Sequence, residues 1–292
     1  MQRRKAIQTI AMTAALAGSV SGWSSVLKNN KKRMSLKGNI NHSVCRWTYG
    51  NLSLEQLCAN VKDLGFAAID LVGPKDWDTL KKYGIYSSMC NGAEINLVDG
   101  WNEPNFHSTL IKNYTDHIEY VAKAGYKNLI CFSGNRRGMD DESGLKNCVQ
   151  GLKKILQHAE KNNVTLVMEL LNSKVDHHDY MCDHSAWGVE LCKRLGSENF
   201  KLLYDIYHMQ IDEGNVIANI RAHHSYFAHY HTAGVPGRHE LNELQELNYP
   251  AIMKAIVATG FKGYVAQEFI PTGKTDDERK QALKDAVLLC DV

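Results

Sequence analysis

Thr165-Leu-Val-Met-Glu-Leu-Leu-Asn172 decides the fold. Its opening run is short and β-branched, and it ends on the carboxylate of Glu169 where an apolar strand should end on nothing charged. The same construction recurs downstream. Leu202-Leu-Tyr runs into Asp205, Phe227-Ala-His-Tyr into His231, and Val265-Ala-Gln into Glu268. Working outward, the strand-like runs are 42–46, 67–71, 85–90, 128–132, 165–170, 201–205, 226–231 and 263–269, eight in all. Several are continuously apolar, the pattern of strands covered on both faces.

Helical patterns separate them. Residues 54–64 place Leu54, Leu57, Val61 and Leu64 on one face, with Ser53 as N-cap and Gly65 past the end. Further patterns cover 114–124, 145–162 and 251–259. Eight strands alternating with helices over about 250 residues predict an α/β fold, a single closed (β/α)8 barrel. An open doubly wound sheet is the alternative, and no G-x-G-x-x-G follows the first strand to favour it. Three long non-periodic stretches, 91–105, 172–184 and 232–249, each follow a strand. They belong on the catalytic face of such a barrel.

Composition agrees with one soluble domain: 292 residues, 44% hydrophobic, 23% charged, net charge +2. That charge gives no nucleic-acid footprint. None of the eight cysteines forms a C-x-x-C pair, and most sit in apolar runs, which predicts free buried thiols. Residues 1–38 read differently from 39–292. Arg3-Arg4-Lys5 precedes a mildly apolar stretch ending Ala15-Leu-Ala-Gly18, the order of an export signal of twin-arginine type. This predicts a periplasmic protein, or a cytoplasmic one if the segment does not act. The stretch is too short to span a bilayer.

Each strand-end acid or imidazole alone serves equally well as a helix cap, an ion-pair partner or a satisfied core group. Four on consecutive strands are another matter. Three carboxylates and an imidazole converging on one barrel mouth repel one another unless a cation joins them. Glu169, Asp205, His231 and Glu268 are therefore predicted metal ligands. Their oxygen-rich set suits Mn2+, Mg2+, Co2+ or Zn2+, with Mn2+ or Mg2+ favoured. His208, Arg238, Asn172 and His239 are candidate substrate-binding residues, with Asn91 and Glu94 held more weakly. Trp47, Trp101 and Phe106 are candidates for the pocket wall or for packing. His177-His178 and His223-His224 read as surface histidines.

Glu169-Leu-Leu-Asn172, Asp205-Ile-Tyr-His208-Met-Gln210, Pro236-Gly-Arg238-His239-Glu240, Asn248-Tyr-Pro250 and Gly263-Tyr-Val-Ala-Gln-Glu268 together resemble the xylose-isomerase-like barrel superfamily, most of all its hydroxypyruvate isomerases. The resemblance implies a metal-dependent isomerase of a small sugar or keto-acid, with Glu169 and Glu268 exchanging protons with the substrate through a cis-enediolate. It also implies a homodimer or homotetramer. One position departs from the pattern. Hydroxypyruvate isomerases carry Gln where this chain has His231, and ketose 3-epimerases carry His. A 3-epimerase, a polyol dehydratase and a non-catalytic exported sugar-binding barrel stay open beside the isomerase. An endonuclease on the same barrel would need more histidine ligands and a basic groove.

Overall fold

The computed structural model describes residues 34–292. The signal-like segment falls almost wholly outside them. Its last residues, Met34 to Gly38, are described. Lys37 donates its backbone N–H to the Asp291 carboxylate, at 2.9 and 3.1 Å.

Eight parallel strands form one sheet: β1 Asn41–Val44, β2 Ala68–Val72, β3 Tyr86–Cys90, β4 Asn128–Cys131, β5 Thr165–Glu169, β6 Phe200–Asp205, β7 Phe227–Thr232 and β8 Tyr264–Gln267. The order β1-β8-β7-β6-β5-β4-β3-β2 leaves β1 beside β2. There the ladder thins to a single bridge, Cys45 with Asp70, and an Arg46 N–H donating to the Asp70 carbonyl at 3.0 Å. The barrel is thus nearly closed, as the alternation of strands and helices predicts.

The helices are α1 Leu54–Asp63, α2 Trp77–Tyr83, α3 His107–Ala124, α4 Asp141–Lys161, α5 Ser185–Leu195, α6 Ile206–Asp212, α7 Val216–His223, α8 Tyr249–Ala258 and α9 Asp276–Cys290. Local chemistry sets their ends. In α1, Ser53 and Gln56 form a reciprocal capping box. Gly65 follows at φ +91°, where a Cβ would collide with the Met34 carbonyl. Two helices start earlier than their apolar pattern suggests. The turn Pro104–Phe106 feeds α3 directly, so it gains two turns before Tyr114. The Asp140 carboxylate caps α4 by accepting from the Ser143 N–H, so the helix begins at Asp141, ahead of Leu145.

The core lies between strands and helices, with Leu57, Leu129, Leu166, Leu202 and Val265 fully buried. Each such side chain contributes about 1.5–3 kcal/mol relative to exposure. All eight cysteines are buried and free, as their apolar settings predict. Among the described residues, no helix is long and apolar enough to cross a membrane.

Candidate functional site

The C-terminal ends of β5 to β8 bring four side chains together. Glu169 closes β5, Asp205 closes β6, His231 lies one residue inside the end of β7, and Glu268 directly follows β8. Parallel register aligns them. Asp205 pairs with His231 across β6 and β7, and the Glu268 N–H donates to the Thr232 carbonyl at 2.9 Å. One potential ligand atom from each of the four lies within 4.8 Å of the others, and all four residues are buried.

His231 is the hub. Its Nδ1 is 2.9 Å from Glu268 Oε2, 3.1 Å from Glu169 Oε1 and 3.9 Å from Asp205 Oδ2. Burial alone would depress this imidazole. Cys45, Glu268 and Asp70 beside it reverse that and hold it well above the ordinary value.

The carboxylates are not equivalent. Burial pushes Glu169 up, with Glu268 adding to the effect, and burial pushes Asp205 well up for the same two reasons. Glu268 goes the other way. Burial opposes its charge, but His231 and Arg238 outweigh burial and hold it well below the usual carboxylate range. Its Oε1 also accepts the Trp47 indole N–H at 2.8 Å, and its Oε2 accepts from Arg238 Nη2 at 2.7 Å. The cluster is short of positive charge, since three buried carboxylates face only His231 and Arg238. Three oxygens and one nitrogen at this spacing, desolvated and under-neutralised, fit a divalent cation. The site is metal-binding-capable.

Around the cluster, Asp205 also caps α6 by accepting the His208 N–H at 3.1 Å. This places His208 one turn above the acids. Asn172 donates its amide to His208 Nδ1 at 2.6 Å, which leaves the ring proton on Nε2. That Nε2 is buried and without a hydrogen-bond partner, 3.7 Å from Asp205 Oδ2. Burial and the Arg238 charge push His208 well down, so it stays neutral. Asn172 is itself fully buried and also donates to Asp176, so it reaches the site through His208.

Arg238 sits at φ +61° after Gly237, between the rings of Trp47 and Tyr207, 5.2 and 5.4 Å from its guanidinium carbon. Its Nε is buried and unpartnered. His239 is exposed on the far side of the turn, bonded to the Ile270 carbonyl at 3.0 Å. It does not join the cluster, and neither does Glu94, which accepts the Gly92 N–H.

Some residues stand elsewhere than the sequence suggests. His177 is no surface histidine: it is half-buried, with its ring 5.2 Å from that of His208. Trp101 is core, packed on Tyr114, whereas Trp47 does wall the mouth. Two buried groups went unread, Asp70 on β2 and Tyr207 on α6. Asp70 had one available signal, a carboxylate in the middle of the apolar run Ala68-Ile-Asp-Leu-Val72.

Comparison with known proteins agrees with this fold. The family described as "Xylose isomerase-like TIM barrel" matches residues 58–289. A 2-oxo-tetronate isomerase of Cupriavidus necator is 33% identical over 237 residues, 76% of this chain and 88% of the relative. Among solved structures, an AP endonuclease, family 2, from Brucella melitensis superposes with a TM-score of 0.72 at 22% identity, covering 84% of this chain and 97% of that one. A D-psicose 3-epimerase from Clostridium cellulolyticum gives 0.71 at 19% identity, covering 86% and 98%. These two structural likenesses show the fold alone. The chain is related to several isomerase and epimerase families, hydroxypyruvate isomerase among them, and to no one of them specifically.

Proposed function

The chain belongs to the xylose isomerase-like TIM barrel family, and from that premise we propose that it is a divalent-metal-dependent isomerase of a short hydroxy-keto acid or sugar acid. The observation that carries this reading is the pairing of a charge-deficient ligand cluster with two buried, unpartnered polar atoms beside it, His208 Nε2 and Arg238 Nε. A polyoxygenated anion fits that combination.

Glu169, Asp205, His231 and Glu268 would hold the cation, which when bound supplies Lewis acidity that makes the C–H next to a carbonyl easier to break. The protein's own groups do the rest. Glu268, kept ionised by its neighbours, takes the proton from the hydroxyl-bearing carbon. The electron pair left behind becomes the C=C of an enediolate, and the carbonyl oxygen gains the charge. The His208 Nε2–H donates to that oxygen, and Arg238 pairs with the substrate carboxylate. Glu169, which holds a proton more readily, returns one to the former carbonyl carbon, while the proton of the original hydroxyl passes to the former carbonyl oxygen, so the carbonyl has moved by one position. Opposed proton affinities in a glutamate pair suit such acid and base roles, and general acid–base help is worth about 10² to 10⁴ in rate. The relative named as a 2-oxo-tetronate isomerase supports the keto-acid class.

His231 favours a second reading. Its imidazole stands where the ketose 3-epimerases carry histidine, and with the same groups a proton returned to the opposite face of the same carbon gives epimerisation. A panel of hydroxypyruvate, four-carbon keto acids and neutral ketoses, followed by NMR with Mn2+ present, separates the two. Interconversion of keto acids supports the isomerase. Change at ketose C3 alone would replace it with the epimerase.

A further inference from the structure

We infer that Asp70 is a positioning residue that fixes the tautomer and ring plane of His231, so that Nδ1 faces the metal cluster. This rests on the reading of that cluster as a metal centre.

Asp70 lies in the apolar strand β2 and is fully buried. A carboxylate in that position costs several kcal/mol unless hydrogen bonds satisfy it. A local break in the strand aims it inward. Ile69 pairs with Ser87 and Asp70 with Met89, and Val72 then pairs with Cys90, so Leu71 has no partner. Leu71 sits at φ +56°, a left-handed conformation that costs a bulky residue about 1–3 kcal/mol. Bulges of this kind re-aim side chains beside active sites.

The re-aimed carboxylate reaches across the barrel to β7. Oδ2 is 2.7 Å from His231 Nε2, and Oδ1 is 3.1 Å from His229 Nε2. The Ser88 hydroxyl donates to Oδ1 at 2.6 Å and is itself paired with Ser43. The Cys45 thiol approaches Oδ2 at 3.6 Å. Ser88, Cys45 and His231 thereby engage both oxygens, while His229 Nε2 lies near Oδ1 without a hydrogen bond. An Asp70 carboxylate can only accept at 2.7 Å, so His231 Nε2 must carry the proton and donate. Its Nδ1, 2.9 and 3.1 Å from the two glutamates, is then the nitrogen that would give up its proton and face a bound cation. The shorter contact goes to the residue that faces the cluster.

Outer partners of metal-bound histidines orient the ring and raise its basicity, and losing one costs about 10–100-fold in metal affinity. The test is titration calorimetry with Mn2+ on the wild type, Asp70→Asn, His231→Gln and the double variant. Asp70→Asn should bind Mn2+ 10–100-fold more weakly, with an unchanged far-UV spectrum. In the His231→Gln background the same change should have no further effect. An equal loss in both backgrounds, or none in either, would overturn the inference. A second readout needs no metal. The wild type should show a slowly exchanging downfield His231 Nε2–H, assigned by its absence from His231→Gln and lost in Asp70→Ala. If wild type binds no Mn2+ while that resonance is present, the metal reading fails and the Asp70 contact stands. If that resonance is missing from wild type, the contact itself fails.

Discussion

The two halves of the barrel end differently. Strands β5 to β8 finish on or beside Glu169, Asp205, His231 and Glu268, whereas β1 to β4 finish on Val44, Val72, Cys90 and Cys131. Both halves are equally buried at those ends. One half has taken on charge that water cannot screen, and the other has spent the same positions on packing. Function concentrated on four adjacent strands leaves the opposite four free to act as scaffold. Asp70 is the exception, a charge lent by the scaffold half through a bulge.

Substitutions that touch only one half test this division. The largest effect should come from Glu268→Gln and Glu169→Gln. Each keeps its shape and loses its proton transfer, so kcat should fall about 10² to 10⁴ in steady-state assays while circular dichroism stays native. On the scaffold side, Leu129→Ala in β4 removes a fully buried side chain. Denaturant unfolding should show a loss of about 2–5 kcal/mol, with Mn2+ affinity unchanged. A large change in metal binding there would erase the distinction between the halves. Arg238→Gln is next. It should raise KM for a carboxylate substrate about 10–100-fold, from the loss of one charged hydrogen bond, and move KM for a neutral ketose far less.

The smallest expected effect lies in the loop before α5, where His184 Nδ1 is 2.8 Å from Asp183 Oδ1. The hydrogen bond to Asp183 raises His184. Burial works against the Asp183 charge, but His184, Ser173 and Arg136 overcome it and lower that carboxyl. The depressed acid contributes stability above its unfolded value and loses it as pH falls through the lower folded one. The raised imidazole contributes below its unfolded value and loses it as pH rises through the higher folded one. His184→Ala should therefore cost most between about pH 4 and 6.5. His184 is half exposed, so the cost should be only about 0.5 kcal/mol. Thermal melts at pH 5.5 and pH 9 check the sign.

Much of the charged half was legible because an apolar run ending on an acid breaks the burial rule at a countable position. The scaffold half had no such signal beyond its alternation of strands and helices, and that was enough for the fold. The rest was hidden for physical reasons. The bulge at Leu71 breaks the two-residue alternation, so no periodicity could tell that Asp70 points inward. The start of α3 follows a proline turn rather than an apolar stripe. His177 sits in a loop, where spacing carries no information about direction, and only the folded chain sets it against His208. Asn172 read as a substrate contact because it follows Glu169, and the fold turns its amide onto His208 instead. The likeness to hydroxypyruvate isomerase is one of several that the chain bears.

Metal-dependent proton transfer by the β5–β8 cluster is what the proposed function turns on. The most direct measurement is solvent deuterium incorporation into a four-carbon 2-keto acid in D2O, with protein stripped by chelator and then reloaded with Mn2+. Label should enter next to the carbonyl only in the reloaded sample. Equal incorporation by the stripped protein would contradict it.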